Sequence, residues 1–140
     1  MKIHFVCTGN TFRSRLAEAY LKSKLTPNLE VTSSGVEADK NLNGTICELT
    51  IKILIENNIE SFASNYWTLT SASILEKQDL IVFMKQNHFD FCINKLKAEI
   101  KKYIIWDIND IDTKKEDESL ESFAQNTFSK IKEGVDELNI

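Results

Sequence analysis

Apolar residues are spaced along this chain in two ways that alternate from one end to the other. Short runs of apolar and β-branched residues predict four strands, at residues 3–6, 29–33, 79–84 and 103–106. Apolar residues three and four positions apart predict helices at residues 16–26, 49–55, 70–76, 93–100 and 120–138. This alternation predicts an α/β fold, a single domain with a four-stranded parallel sheet flanked by helices on both faces. Such sheets bind ligands at the carboxyl ends of their strands.

The composition is that of one globular domain with a sizeable core. Hydrophobic residues make up 42% and charged residues 27% of the 140 residues, and four glycines and one proline leave no linker. We therefore interpret residues 1–140 as a single domain. The formal net charge of −4 argues against nucleic-acid binding as the main activity.

The three cysteines and two histidines follow no pattern of a disulfide framework or of a metal site. We interpret Cys47 and Cys92 as apolar core residues, and His4 and His88 as packing or surface residues. No run of residues approaches the roughly 18 apolar positions of a membrane helix. We expect a cytoplasmic protein without a metal or other cofactor and without membrane binding, and the sequence leaves its oligomeric state open.

The segment between the first strand and the first helix carries the chemistry. It reads VCTGNTFRS, in which Cys7 is followed after five residues by Arg13 and Ser14. A loop in this position can turn its backbone N–H groups inward around a tetrahedral anion, and the helix dipole adds positive potential. The residues predicted to bind phosphate are Thr8, Gly9, Asn10, Thr11, Phe12, Arg13 and Ser14.

Cys7 lies at the predicted floor of this loop, where the helix dipole and Arg13 favour the thiolate over the thiol. A thiolate there could attack a bound phosphate monoester in line and form a cysteinyl-phosphate intermediate. The Arg13 guanidinium can donate two parallel hydrogen bonds to phosphate oxygens. Ser14 can donate to the thiolate, and Asn10 can hold the loop in shape.

The sequence CTGNTFRS after a strand at the amino terminus resembles the low-molecular-weight protein-tyrosine-phosphatase family. The segments Ala17-Glu-Ala19, Ser33-Ser-Gly35 and Asp79-Leu-Ile-Val-Phe-Met84 are similar to landmarks of that family in the same order, so the resemblance covers essentially the whole chain. It implies a cysteine-dependent phosphatase that acts on a phosphorylated protein substrate, with phosphotyrosine as the substrate residue. It also implies that Ser33 supports Asn10 and the loop.

The resemblance further implies a late aspartate that protonates the leaving oxygen and then activates water. In Trp106-Asp-Ile-Asn-Asp110 the spacing resembles a variant that places the acid four residues after tryptophan. We therefore assign Asp110 as the acid, rank Asp107 second and Asp112 third. Ile111 stands where the family usually has proline.

Other departures concern the substrate. Phe12 replaces a second cysteine that many members have, so Cys7 has no disulfide partner in the loop. Arg15 replaces the usual proline, which we expect to add charge near the mouth of the site. The segment after Asp110 lacks the paired aromatic residues that commonly wall a phosphotyrosine ring. Thr11 resembles the protein-arginine-phosphatase branch of the family, which makes phosphoarginine the second candidate substrate.

Two further alternatives remain open. Arsenate reductases share this type of loop and pass a disulfide through two more cysteines, of which Cys92 could be one, while Lys85 stands at the other place. A silent phosphate-binding module would keep the loop and Arg13 but tolerate a poor acid. The residue that replaces the proline after Asp110 is the only sequence feature that favours this last class.

Overall fold

The sheet of this protein consists of four parallel strands in a computed structural model that describes all 140 residues. The strands are β1 (Lys2–Cys7), β2 (Glu30–Gly35), β3 (Leu80–Phe83) and β4 (Tyr103–Ile105). Their order across the sheet is β2-β1-β3-β4, with Cys7 beside Gly35 and Val6 beside Phe83. The carboxyl end of β1 therefore lies between those of β2 and β3. The predicted fold class is confirmed.

Five helices cover the two faces of the sheet. They are α1 (Arg13–Ser23), α2 (Glu48–Glu56), α3 (Ala72–Glu76), α4 (Gln86–Asn94) and α5 (Leu120–Asp136). Apolar residues of α1, α2 and α5 form the larger core cluster with one face, and residues of α3 and α4 form the smaller cluster with the other. Short 3₁₀ turns lie at Ala38–Lys40, Glu60–Phe62 and Ile111–Thr113. None of the helices combines the length and apolar character needed to cross a membrane.

The predicted helix at 93–100 is wrong in position, because α4 spans Gln86–Asn94. The helix begins directly after β3, and its end is followed by Lys97 in the left-handed region at φ 55°. Leu96 and Ile100 pack against the smaller core cluster from irregular chain. Their apolar spacing therefore reflects burial of a loop and not helical periodicity.

The first helix also starts earlier than the apolar pattern indicates. Helix α1 begins at Arg13, and its first turn is polar yet buried. It ends at Ser23, two residues before Leu25 takes a left-handed φ of 53°. The apolar pattern misses the first turn because tertiary partners, and not side-chain hydrophobicity, bury it.

Candidate active site

The loop between β1 and α1 curls around the sulfur of Cys7, which is almost fully buried. The backbone N–H of Asn10 donates to Cys7 Sγ over 3.2 Å, and Ser14 Oγ lies 2.9 Å from the same sulfur. Because Asn10 Nδ2 donates to Ser14 Oγ over 2.7 Å, the serine hydroxyl has its own hydrogen free to donate to the sulfur. The sulfur is thus placed to accept two hydrogen bonds.

Asn10 is the residue that closes this loop. It takes the left-handed φ of 54°, a conformation that asparagine tolerates better than most residues. Its Nδ2 also donates to Ser33 Oγ over 2.9 Å, and its Oδ1 accepts from the Thr68 backbone N–H over 2.8 Å. The structure therefore places Ser33 beside Asn10, as the family resemblance implied, and Ser14 beside both Asn10 and the Cys7 sulfur.

Gly35 at the end of β2 lets the loop pass directly above the sheet. A Cβ added at this residue would lie 2.5 Å from Thr8 O and 2.7 Å from Asn10 N. These are backbone atoms that cannot move aside without distorting the loop. The absence of a side chain at Gly35 is therefore a condition for the loop's shape.

Arg13 is buried and joins the loop to the late aspartate. Its Nη1 donates to the backbone oxygen of Ile108 over 2.9 Å, and its Nη2 lies 3.2 Å from Asp110 Oδ2. Nη2 also donates to Thr8 Oγ1 over 3.3 Å. Asp110 remains about one-third exposed, and its Oδ1 accepts from the Ile111 backbone N–H over 2.8 Å. The arginine is thus oriented by partners on both sides of the site.

The three candidate aspartates occupy different places. Asp107 points into solvent with 89% of its side chain exposed and pairs with Lys85 Nζ at 2.5 Å. The hydrogen bond and the charge of Lys85 lower the pKa of Asp107. Asp112 is exposed on a 3₁₀ turn. Only Asp110 lines the same pocket as Cys7, which favours the first-ranked assignment on geometry.

That pocket has a volume of about 210 Å³ and lies at the carboxyl ends of the strands. Its inner wall comes from the loop, and its rim from Asn41, Asn43, Cys47 and Ile111. Asn43 Nδ2 donates to Thr11 Oγ1 over 3.2 Å. Two of the four rim residues are asparagines, and Phe12 of the loop is the one aromatic residue that lines the pocket.

Arg15 does not add charge at the mouth, so that expectation is wrong. Its side chain is 1% exposed and runs beneath the loop, where Nη1 donates to the backbone oxygens of Asn10 and Thr45 over 3.0 and 2.9 Å. Nη2 donates to the backbone oxygen of Ser64. Burial lowers the pKa of Arg15, and the nearby Glu18 opposes that shift. Arg15 therefore ties the loop to two distant segments.

His88 is a site residue that the sequence did not reveal. It is fully buried, and its Nε2 lies 2.9 Å from Thr8 Oγ1. Burial, followed by the charges of Arg13 and Lys85, lowers the pKa of His88 to about 3. The available signal was topological, because His88 follows β3, the direct neighbour of β1 in a parallel sheet.

The remaining cysteines differ in environment. Cys92 is fully buried in the smaller core cluster, and burial raises the pKa of its thiol to about 12. Cys47 is half-buried and lines the pocket, so its interpretation as a core residue is only partly right. All three cysteines are free. No group of three or more His, Cys, Asp or Glu side chains is arranged to hold a metal ion.

A profile of the family described as low molecular weight phosphotyrosine protein phosphatase matches residues 2–138. The match spans nearly the whole chain, and the chain belongs to this family of hydrolases. The resemblance carried by CTGNTFRS is thereby confirmed. A solved structure with the same fold is Wzb of Vibrio vulnificus in complex with benzylphosphonate, which is 25% identical at a TM-score of 0.77 and covers 96% of this chain and 94% of that one.

Two curated relatives carry different activities in their names. An arsenate reductase of Bacillus cereus (strain AH187) is 36% identical over 91 residues, which cover 64% of this chain and 63% of that protein. The protein-arginine-phosphatase of Bacillus subtilis (strain 168) is 35% identical over 91 residues, covering 63% of this chain and 58% of that protein. The matched part of this chain spans less than two thirds of each relative's length.

Proposed function

We propose that this protein is a cysteine-dependent phosphatase that hydrolyses phosphotyrosine in proteins through a cysteinyl-phosphate intermediate. The observation that carries the proposal is the Cys7 sulfur, which accepts two hydrogen bonds inside a loop whose pocket also contains Arg13 and Asp110. Membership of the phosphotyrosine protein phosphatase family supports it. Cys7, Arg13 and Asp110 thus supply a nucleophile, a cation and an acid that line one small cavity.

In the first step the phosphoryl oxygens take hydrogen bonds from the loop N–H groups and from the Arg13 guanidinium. The Cys7 thiolate attacks phosphorus, a P–S bond forms, and the P–O bond to the substrate breaks. The phosphoryl group replaces Asp110 at Arg13, and Asp110 takes up a proton from solvent. Asp110 then gives this proton to the leaving oxygen, which departs as the phenol of tyrosine. Arg13 stabilises the charge that spreads over the three equatorial oxygens.

In the second step the deprotonated Asp110 accepts a proton from water, and the oxygen of that water attacks phosphorus. The P–S bond breaks and the sulfur leaves as a thiolate. The hydrogen bonds from Ser14 and from the Asn10 N–H stabilise that thiolate. The cycle ends with inorganic phosphate in the loop and needs no metal or other cofactor.

A cytoplasmic location with a phosphorylated protein as substrate accords with this chemistry. The three free cysteines suit a reducing compartment, where a thiolate nucleophile stays reduced. A net charge of −4 gives no general attraction for nucleic acids.

Phosphoarginine is the second candidate substrate, and the pocket contains a specific observation in its favour. Thr11 is 3% exposed and lines the pocket, and Asn43 fixes its hydroxyl by donating to it. Asn41 and Asn43 on the rim offer polar side chains to a guanidinium group, and Phe12 is the one aromatic residue of the pocket that a phenol ring could contact. The relative named protein-arginine-phosphatase supports the same candidate.

Arsenate reduction ranks lower because its disulfide relay has no support in the surroundings of the cysteines. Cys92, the one candidate relay cysteine, lies fully buried in the smaller core cluster. Burial also raises the pKa of the Cys92 thiol to about 12, which keeps it from acting as a thiolate. A silent binding module ranks lower too, since Asp110 lies at the pocket.

The test is hydrolysis of para-nitrophenyl phosphate, a phosphotyrosine peptide and a phosphoarginine peptide side by side. We expect turnover by the unaltered protein and none by Cys7→Ser, with inorganic phosphate still bound by the variant. Cys92→Ala is the matched control, because it removes a cysteine remote from the pocket, and it should retain turnover. Hydrolysis by Cys7→Ser at the rate of the unaltered protein contradicts the mechanism.

The ratio of the two peptide rates decides the substrate. Faster phosphotyrosine hydrolysis supports the first candidate, and faster phosphoarginine hydrolysis supports the second. Thr11→Ile then tests whether the Thr11 hydroxyl determines the preference, since its loss should lower the phosphoarginine rate more than the phosphotyrosine rate. An unchanged ratio removes Thr11 from the explanation.

A further inference from the structure

A chain of hydrogen bonds leads from the start of α4 into the active-site loop. The Lys85 backbone N–H donates to His88 Nδ1 over 3.1 Å, and His88 Nε2 lies 2.9 Å from Thr8 Oγ1. Arg13 Nη2 donates to the same threonine oxygen over 3.3 Å. His88 is 80 residues away from Thr8 in sequence and contacts no part of the reaction path described above.

These contacts define the tautomer of His88. Nδ1 receives the Lys85 N–H, so it carries no hydrogen. A neutral imidazole then carries its hydrogen on Nε2, which must donate to the Thr8 hydroxyl oxygen. Burial and the neighbouring charges of Arg13 and Lys85 lower the pKa of His88 to about 3, so the ring stays neutral at physiological pH.

The tautomer in turn orients the hydroxyl of Thr8. Its oxygen accepts one hydrogen bond from His88 and another from Arg13, so both lone-pair positions are occupied. The hydroxyl hydrogen has no acceptor within the protein, and Thr8 lines the pocket beside Cys7. The hydrogen is therefore free for an anionic oxygen of the ligand.

We propose that His88 is a positioning residue that acts through Thr8, turning the threonine hydroxyl into a donor for a phosphoryl oxygen and holding Arg13 against the loop. This inference rests on the proposed phosphatase function and assigns a role to a residue outside the loop and the acid segment. His88 itself touches neither the substrate nor the nucleophile. Its influence on catalysis passes entirely through the hydroxyl of Thr8.

A purely structural alternative has to be separated from this role. His88 also accepts the N–H at the start of α4, so its loss could act by loosening that helix. Glutamine is the informative replacement, because its side-chain oxygen can accept the Lys85 N–H while its NH₂ donates to Thr8. Methionine fills a similar volume and can do neither. Gln86→Ala alters the same helical turn at an exposed residue that has no contact with the loop.

The experiment is a double-mutant cycle on His88→Met and Thr8→Val, with His88→Gln as the rescue and Gln86→Ala as the helix control. The measurements are the affinity for inorganic phosphate, kcat and KM for para-nitrophenyl phosphate, and the melting temperature. We expect each single variant to weaken phosphate binding and to lower kcat/KM by roughly tenfold, the size of one lost hydrogen bond to a charged group. The double variant should bind phosphate and turn over substrate no less well than the more impaired of the two single variants.

His88→Gln should return phosphate affinity and kcat/KM to within about threefold of the unaltered protein, and Gln86→Ala should change only the melting temperature. The inference is overturned if the losses of phosphate affinity in His88→Met and Thr8→Val add up in the double variant. It is also overturned if His88→Gln binds phosphate as weakly as His88→Met, or if His88→Met leaves phosphate affinity unchanged. If the unaltered protein binds phosphate but turns nothing over, the proposed function fails while the phosphate affinities still decide the role of His88. If it binds no phosphate, both fail.

Discussion

The two loops that form the pocket are held in different ways. The phosphate loop, residues 7–14, is buried and tied to β2, to Thr68 and to Arg15 by hydrogen bonds. The acid loop, residues 106–113, is mostly exposed and is fastened by the buried side chain of Ile108 and by contacts with Arg13. The phosphate loop is therefore held mainly by the hydrogen bonds of its own buried side chains, whereas the acid loop is held by backbone hydrogen bonds to the end of β3, by Lys85 and by Arg13.

A glycine behind each loop shows the same difference. A Cβ at Gly35 would meet backbone atoms of the phosphate loop at 2.5 Å. A Cβ at Gly134, on α5, would lie 2.7 Å from the ring of Trp106 at the start of the acid loop. The first contact is with loop backbone, whereas the second is with a side chain, an indole ring that also packs against Phe5. The acid loop should therefore tolerate disturbance better than the phosphate loop.

The largest effect should come from the acid itself. Asp110→Asn removes the proposed proton donor, and we expect the hydrolysis rate of an ordinary alkyl or phenyl phosphate ester to fall by about 10²–10⁴-fold. Phosphate affinity should stay the same or rise, because Arg13 loses a competing carboxylate. Rates and phosphate inhibition constants measure both. A larger rate loss in Asp107→Asn would transfer the role to that residue.

Arg15→Met should cause the next largest effect, this time on stability. It removes the guanidinium from beneath the phosphate loop and leaves three backbone oxygens and Glu18 without that partner. We expect a loss of about 3 kcal/mol in the free energy of unfolding, measured with urea. Lys52→Met is the control, since Lys52 pairs with Glu121 at the surface and both side chains are more than half exposed. It should cost less than about 1 kcal/mol, and equal losses would contradict this account.

Alanine at the two glycines compares the loops directly. Gly35→Ala should lower the free energy of unfolding by about 2 kcal/mol and weaken phosphate binding, because the loop backbone must move. Gly134→Ala should displace only the Trp106 ring and affect turnover more than phosphate affinity. Urea unfolding and phosphate titration measure both variants. Equal losses of phosphate affinity would show that the loops are not held differently.

The smallest effect is a change of stability with pH, and it arises from His4 on β1, the strand that leads into the phosphate loop. His4 on β1 is buried between Thr32 Oγ1 and Ser34 Oγ at 2.6 and 2.7 Å, and burial lowers its pKa from 6.5 to about 4. Below pH 6.5 the unfolded chain therefore binds a proton at His4 that the folded chain does not. Stability should fall as the pH drops from 6.5 toward 4, by about 1 kcal/mol at pH 5.5 from this residue.

His88, whose pKa is also lowered, adds to the loss in the same direction. Urea midpoints at pH 7 and 5.5 give the measurement. His4→Gln should reduce the difference between the two midpoints by the share of His4. A variant with the same pH dependence as the unaltered protein would exclude His4 as a source.

The sequence predicted the phosphate loop because its residues are contiguous and their chemistry depends on local spacing. It predicted all four strands because three are short apolar runs, and the fourth, β2, contains the β-branched residues Val31 and Thr32 before Gly35. Arg15 and His88 escaped prediction because their partners are distant. Arg15 contacts Ser64, 49 residues away, and His88 contacts Thr8, 80 residues away. A buried polar residue and an exposed one look the same in a sequence.

The misplaced helix has a related cause. Apolar spacing indicates which residues are buried, whatever their secondary structure. Leu96 and Ile100 pack against the core from an irregular loop after α4. The acid loop lies between these cases. Its three aspartates could be ranked because the spacing after Trp106 resembles that of the family. The contacts that separate them, Arg13 with Asp110 and Lys85 with Asp107, join different parts of the chain.

The ion pair of Arg13 and Asp110 has a consequence for the choice among anions. Arg13 has an anionic partner of its own at 3.2 Å, so any ligand that reaches it competes with a tethered carboxylate as well as with water. A singly charged anion such as chloride or acetate gains little from that exchange. A doubly charged phosphoryl group can outcompete the carboxylate, because it brings more charge and three oxygens to the loop N–H groups. If the pocket binds phosphate as proposed, the pair should therefore favour doubly charged phosphoryl groups over monovalent anions.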